Sequence, residues 1–135
     1  MTAGYSSTPL VKKLGFKAGQ RVAYVNPPEN FAELVGDLPE NIRILSDLVG
    51  PLDMVICFTK GRRILEQRLK ALLRELDRDG TIWIAWPKKA SGVETDMTED
   101  VVRDLALPTG LVDVKVCAID ETWSGLKLVM RKELR

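Results

Sequence analysis

Two short stretches concentrate the side chains able to do chemistry. The first, PKKASGVETD (87–96), sets the ammonium groups of Lys88 and Lys89 beside the hydroxyls of Ser91 and Thr95, with Gly92 between them permitting close backbone approach. Cations, hydroxyls and exposed backbone amides are the inventory of a phosphate or carboxylate site. Asp96 closes the stretch and either orients a lysine or caps the helix that follows. The same residues also read as a polar surface loop. The second stretch, ETWSGLK (121–127), places Trp123 and Ser124 in a Ser-Gly bend, with Lys127 on the strand beyond. A large ring in a turn needs something to cover, so Trp123 either stacks on a ligand or closes the sheet edge against the core. A third candidate is the amide of Asn26, in VNPPENF (25–31).

Several chemistries are excluded outright. The sequence has no histidine, which removes Ser-His and Cys-His nucleophile pairs and every His-ligated metal site. Its two cysteines, Cys57 and Cys117, lie in separate apolar runs, without the spacing of a disulfide framework or a zinc site. For acid–base work the ionisable candidates are Lys88, Lys89, Asp96, Asp120, Glu121 and Tyr24, and no spacing singles out a pair. No catalytic residue is assigned, and the question of enzyme or binding domain stays open.

The elements that must position these groups alternate in type. A short helix, LVKKL, follows Pro9, with Ser7 or Thr8 to cap it and Gly15 to end it. QRVAYVN, NIRIL, LDMVICF (52–58) and TIWIAW (81–86) read as strands, the last two apolar throughout, as expected of strands covered on both faces. Glu29 to Leu34 reads as a short helix. The clearest helix is GRRILEQRLKALLRELDRDG, where Ile64, Leu65, Leu69, Leu72, Leu73 and Leu76 form one stripe, closed by a turn at Asp79-Gly80. Thr98 starts another helix, VVRDLAL. The C-terminus reads as two extended runs, VDVKVCAI and LKLVM, joined by DETWSG. This order predicts a three-layer Rossmann-like α/β domain over 1–135, mostly parallel, with a C-terminal antiparallel strand pair.

Ligands of an open α/β sheet sit outside the carboxyl ends of its strands. Three loops qualify: Asn26–Asn30, Thr59–Gly61 and Pro87–Asp96. The first lacks the glycines of a nucleotide cradle, and its two prolines remove two backbone donors. No conventional cofactor is therefore expected. Nine Lys/Arg against four Asp/Glu over 60–89 make one basic region in a chain of net charge +1. Such a region steers anions or forms a solvated helix face. Its Arg-rich helix, 62–74, lacks interleaved aromatics, so nucleic acid is a weak candidate partner. No apolar run approaches membrane length and the N-terminus lacks a signal pattern, which predicts a cytoplasmic protein. The final strand offers an edge for a homodimer, with the charged RKELR tail as edge protection.

The segments GYSSTPLVKKLGFKAGQRVAYVNPPENF and WPKKASGVETDMTEDVVRDLALPTGLVDVKVCAIDETWSGLKLV resemble a bacterial family of small, single-domain proteins of unknown function. The resemblance implies a shared fold and no particular reaction. More distantly, the element order looks like a shortened class I methyltransferase core. There the Gly-rich cofactor loop would stand at Asn26-Pro27-Pro28-Glu29, and the acidic residue after the second strand at Ser46-Asp47. The Asn-Pro-Pro-aromatic motif of amino-methylating enzymes follows the fourth strand of that core, whereas Asn26-Pro27-Pro28 follows the first and continues with Glu29. The expectation is thus a non-catalytic or regulatory domain that binds a small anionic ligand or a protein through Lys88–Asp96 and Trp123–Lys127. The alternatives are a transferase with an altered cofactor mode and a weak nucleic-acid binder.

Overall fold

The structure, a computed structural model, describes residues 8–135; Ser7, one of the two expected caps, lies outside them. Six strands form one sheet in the order β2-β1-β3-β4-β6-β5. They are β1 (Arg21–Val25), β2 (Arg43–Leu45), β3 (Leu52–Phe58), β4 (Leu76–Pro87), β5 (Leu111–Ala118) and β6 (Trp123–Met130). The first four in this order are mutually parallel, and β6 runs antiparallel to both β4 and β5. Strand order therefore reverses at β1. The chain leaves it to form β2 on one side and returns to form β3 on the other.

Helices cover both faces, giving the three layers expected. On one face lie α1 (Leu10–Lys13) and α2 (Phe31–Val35). Leu14, Phe16, Phe31 and Val35 pack there on Met54, Ile56, Phe58 and Trp83. Trp83 is fully buried, and its indole Nε1 donates to the Leu14 carbonyl at 2.9 Å, satisfying the only polar atom of the ring. On the other face lie α3 (Arg62–Glu75) and α4 (Glu99–Ala106). Leu65, Leu69, Leu72, Val102 and Ala106 pack on Val55, Cys57, Ile82, Ile84, Leu126 and Leu128. Burying each large apolar side chain contributes about 1.5–3 kcal/mol. Thr98 caps α4 as expected, its Oγ1 accepting from the Val101 amide at 3.1 Å. No helix among the described residues is long and apolar enough to cross a membrane.

Four local expectations are corrected. Asp79-Gly80 is not a turn after α3. It lies within β4, whose register against β3 jumps from Leu52–Leu76 to Met54–Thr81, and Leu76 belongs to that strand. Gly80 sits where the bulge brings backbones together, since a Cβ there would stand 2.9 Å from the Asp77 carbonyl oxygen and 3.0 Å from that of Leu52. Ile64 leaves the buried stripe and is 46% exposed. Trp123 begins β6 rather than occupying the turn. The Asp120 carboxylate accepts from the amides of Thr122 (2.8 Å) and Trp123 (2.7 Å), and so closes a tighter turn than DETWSG implies. Finally, the last strand is internal. The sheet edges are β2 and β5, so an edge-strand dimer would have to use one of those.

Candidate functional site

Both connections that diverge at β1 expose the carboxyl ends of β1 and β3, and a cleft of about 550 Å3 opens there. Asn26 shapes its first wall. It takes a left-handed conformation (φ 51°), one that asparagine tolerates, and turns the chain out of β1 so that Pro27 and Pro28 line the opening. The second wall comes from β3 and the start of α3, through Phe58, Thr59, Lys60 and Ile64. Thr59 is buried, and its Oγ1 donates to the Gly61 carbonyl (3.0 Å) and accepts from the Gly61 amide (3.3 Å), fixing the strand-to-helix turn. Val93, Thr122 and Trp123 complete the lining.

Trp123 is almost fully buried, yet it borders the cleft. It ends a row of edge-to-face rings running Phe16, Tyr24, Phe31, Phe58, Trp123, with successive centroids 6.4, 4.9, 4.9 and 5.1 Å apart. Such contacts add about 0.5–1.5 kcal/mol each to the burial itself. The ring packs in the core, and its edge borders the cleft. Burial pushes the Tyr24 hydroxyl up to about 12, so it stays protonated near neutral pH.

The loop after β4 is held by its own polar groups. Ser91 Oγ donates to the Lys88 carbonyl (2.6 Å) and accepts from the Val93 amide (3.2 Å). Thr95 Oγ1 donates to the Lys60 carbonyl (2.6 Å) and accepts from the Met97 amide (3.0 Å). Asp96 caps a helix, though not the one after it. Its Oδ1 accepts from the Arg62 amide at the start of α3 (2.8 Å). Gly92 takes φ 77° with nothing within 4 Å of a Cβ position, so it is required for the turn rather than for close approach. The Lys88 amide donates to the Thr122 carbonyl (2.7 Å), joining this loop to the β5–β6 turn.

The expected site residues thus divide. Asn26 and Trp123 share the switch-point cleft. Lys89 and Thr95 border a neighbouring depression of about 380 Å3 with Trp86 and Met97, and Val93 stands between the two. Ser124 pairs with Trp86 and Ala118 inside the sheet. Lys127 does not reach the cleft. Four residues along a strand place it about 13 Å from Trp123, and it borders a recess at the opposite end of the sheet. Sequence patterning does not single out Phe58, Lys60, Ile64 or Thr122. Phe58 reads as the end of a buried strand and Ile64 as one more member of an apolar stripe. The available signal was the place of Thr59–Gly61 among the strand-end loops.

A family model describing a protein of unknown function, DUF3052, matches residues 11–132. The chain belongs to this family. No curated protein sequence matches it. Solved structures share the fold of this DUF3052 chain at low identity. A SAM-dependent methyltransferase from Aquifex aeolicus superposes with a TM-score of 0.59 at 15% identity, covering 90% of this chain and 88% of that one. A TehB-like SAM-dependent methyltransferase from Corynebacterium glutamicum gives 0.58 at 11%, covering 96% and 91%. Fibrillarin from Aeropyrum pernix, solved with S-adenosyl-L-methionine bound, gives 0.58 at 15%, covering 93% and 70%. The fold is methyltransferase-like and Rossmann-like.

The residues present do not fit a conventional S-adenosylmethionine site. A nucleotide cradle after the first strand needs glycines and free backbone amides. Residues 26–30 hold no glycine, and Pro27 and Pro28 offer no N–H. The helix that follows has only five residues and no side-chain cap. Asp47, the acidic residue after β2, borders a separate depression with Arg21, Ile44 and Val49.

Proposed function

We propose that this protein is a small-molecule-binding domain on a methyltransferase-like scaffold, acting by binding or regulation rather than by conventional methyl transfer. The observation that carries the reading is the cleft at the point where strand order reverses, bordered by Asn26, Pro27, Lys60 and Ile64 and floored by the edges of the buried Phe58 and Trp123 rings. Its chemistry suits a ligand with an apolar body against Pro27, Pro28, Ile64 and Val93, above the edges of Phe58 and Trp123. A polar group would face the Asn26 amide and the Thr122 hydroxyl, and a carboxylate or phosphate would face Lys60. Lys88 and Lys89, on the adjoining loop, add positive charge near the rim.

Calorimetry and thermal shift with aromatic carboxylates and nucleoside monophosphates test the reading. Saturable binding is expected, weakened about tenfold by Lys60→Ala or Asn26→Ala, as the loss of one hydrogen bond to a charged group implies. Binding by no ligand of either class, or binding indifferent to both substitutions, would overturn it. A second reading, an enzyme using S-adenosylmethionine in an altered mode, draws support from the fold likeness alone. Titration with S-adenosylmethionine and S-adenosylhomocysteine up to millimolar concentration decides it, since no heat of binding to either removes it.

A further inference from the structure

The end of the sheet that carries the cleft is electrically divided. Residues 22–42 contain four acidic side chains, Glu29, Glu33, Asp37 and Glu40, and no lysine or arginine. Residues 60–74 contain six cations and one acid, Glu66, which pairs with Arg62 at 3.5 Å. Both segments start at the cleft. Asn26, Pro27 and Pro28 line it just before Glu29, and Lys60 and Ile64 line it on either side of Arg62 and Arg63. The cleft therefore has an acidic lip, Glu29 and Glu33, on the α2 side of the sheet. Its basic lip, Lys60 and Arg63, lies on the α3 side.

Neither lip is neutralised from within. Glu29, Glu33, Lys60 and Arg63 are all exposed, and among the described residues none of them forms an ion pair. Arg63 lies on the helix face opposite Leu65, Leu69 and Leu72, in line with Lys70 and Arg74, and no acid shares that ridge. An exposed aliphatic side chain accompanies each lip, Leu34 on α2 and Ile64 on α3. The sheet edges are less suited to a partner. β2 has three residues, and the register of β5 shifts between Asp113 and Lys115, both features that blunt an edge.

A surface with one sign of charge on each side is complementary to a second copy of itself. A two-fold axis lying in the plane of the sheet, across the strand ends, sets two such surfaces against each other and exchanges their faces. The lips follow the neighbouring strands β1 and β3, so they lie close together along that axis. Each basic lip then meets the acidic lip of the other protomer, and the contact closes at two subunits. A net charge of +1 opposes the association little. We propose that the protein forms a two-fold homodimer through this strand-end face, with Glu29 and Glu33 of one protomer against Lys60 and Arg63 of its partner. The dimer encloses the cleft, but the proposal does not rest on the ligand reading given for it.

Sedimentation of the intact chain from micromolar to millimolar concentration reads the association. A monomer–dimer equilibrium is expected, and it should weaken as salt screens the lips. Glu33→Lys and Arg63→Glu should each weaken it about tenfold or more, since symmetry places every reversal in the contact twice. Neither residue lines the cleft, so ligand titration remains a separate readout. Mixing the two single variants should restore a dimer, because one then presents two basic lips and the other two acidic ones. The double variant, with its signs exchanged, should dimerise on its own. Circular dichroism confirms that each variant is folded. A chain that stays monomeric at millimolar concentration, or a series that grows beyond the dimer, would overturn the proposal. So would a dimer indifferent to both reversals, or one that neither mixing nor the double variant restores.

Discussion

The carboxylate of Asp96 accepts the backbone amide of Arg62 at 2.8 Å, joining the loop after β4 to the first turn of α3. Beside it, Thr95 Oγ1 donates to the Lys60 carbonyl at 2.6 Å. Two strand-end loops that border the cleft are therefore one hydrogen-bonded unit. The Lys88 amide extends that unit to Thr122, next to Trp123. The polar residues of the loop act first as its scaffold, and the cleft itself is lined by Asn26, Lys60 and Thr122 together with Pro27, Pro28, Ile64 and Val93.

Removing the Asp96 carboxylate should loosen this unit. Asp96→Ala leaves the Arg62 amide without its partner and should cost about 1 kcal/mol of stability, the usual worth of a side-chain cap. Asp96→Asn, which keeps an acceptor oxygen, should cost a few tenths. Urea midpoints measure the first effect. Amide exchange should show faster opening confined to residues 59–62 and 88–97, and protection unchanged there would rule out the coupling.

The junction of core and cleft at Trp123 makes a graded prediction. Trp123→Ala removes the last ring of the aromatic row and should cost about 3–5 kcal/mol, at the upper end of what a domain of this size tolerates. Trp123→Phe keeps an apolar ring against Phe58 and should cost far less, while still altering the cleft wall. Equal destabilisation by both would mean that the indole's outer edge, and not its contact with Phe58, carries the packing.

Much of the fold is legible in the sequence because its signals are local. The apolar runs of β3 and β4, the stripe Leu65, Leu69 and Leu72, and the Thr98 cap each lie within a few residues. What escaped has distant causes. Asp96 and Arg62 are 34 positions apart, so nothing in the sequence distinguishes a cap for α3 from one for α4. The bulge that keeps Asp79-Gly80 inside β4 depends on pairing with Leu52, although the dipeptide itself reads as a turn. Trp123 and Lys127 share a stretch of five residues, but an extended chain carries them to opposite ends of the sheet. Three strand-end loops were legible as places to look; Asn26–Asn30 and Thr59–Gly61 border the cleft, whereas the favoured loop, Pro87–Asp96, borders it through Val93.

The indole of Trp83 anchors α1 to the sheet through one hydrogen bond to the Leu14 carbonyl. Trp83→Phe leaves that buried carbonyl unsatisfied, which costs about 1–3 kcal/mol beyond the lost volume. Proteolysis near residues 10–17 should accelerate in this variant more than its global destabilisation accounts for. If cleavage there only tracks global unfolding, α1 is held by apolar packing rather than by the indole.

Burial of Cys57 predicts a definite dependence on alkaline pH. Its thiol is pushed up from 9.0 to about 11, chiefly by desolvation, with the Arg68 charge opposing. The folded chain therefore keeps its proton at pH values where the unfolded chain has lost it. The stability this confers is complete below pH 9 and declines as pH rises from 9 toward 11. At about 1.4 kcal/mol per pKa unit the full loss is about 3 kcal/mol. Tyr24, raised to about 12 by burial, loses stability in the same direction at higher pH. The Cys57 contribution must accordingly be read as the difference between wild type and Cys57→Ala in urea denaturation. That difference should be constant from neutral pH to about 9 and then shift steadily against the wild type. A difference that stays constant through pH 11 would show that the thiolate forms in the folded state without penalty, and that β3 is less sealed than its packing against Leu65 and Leu69 implies.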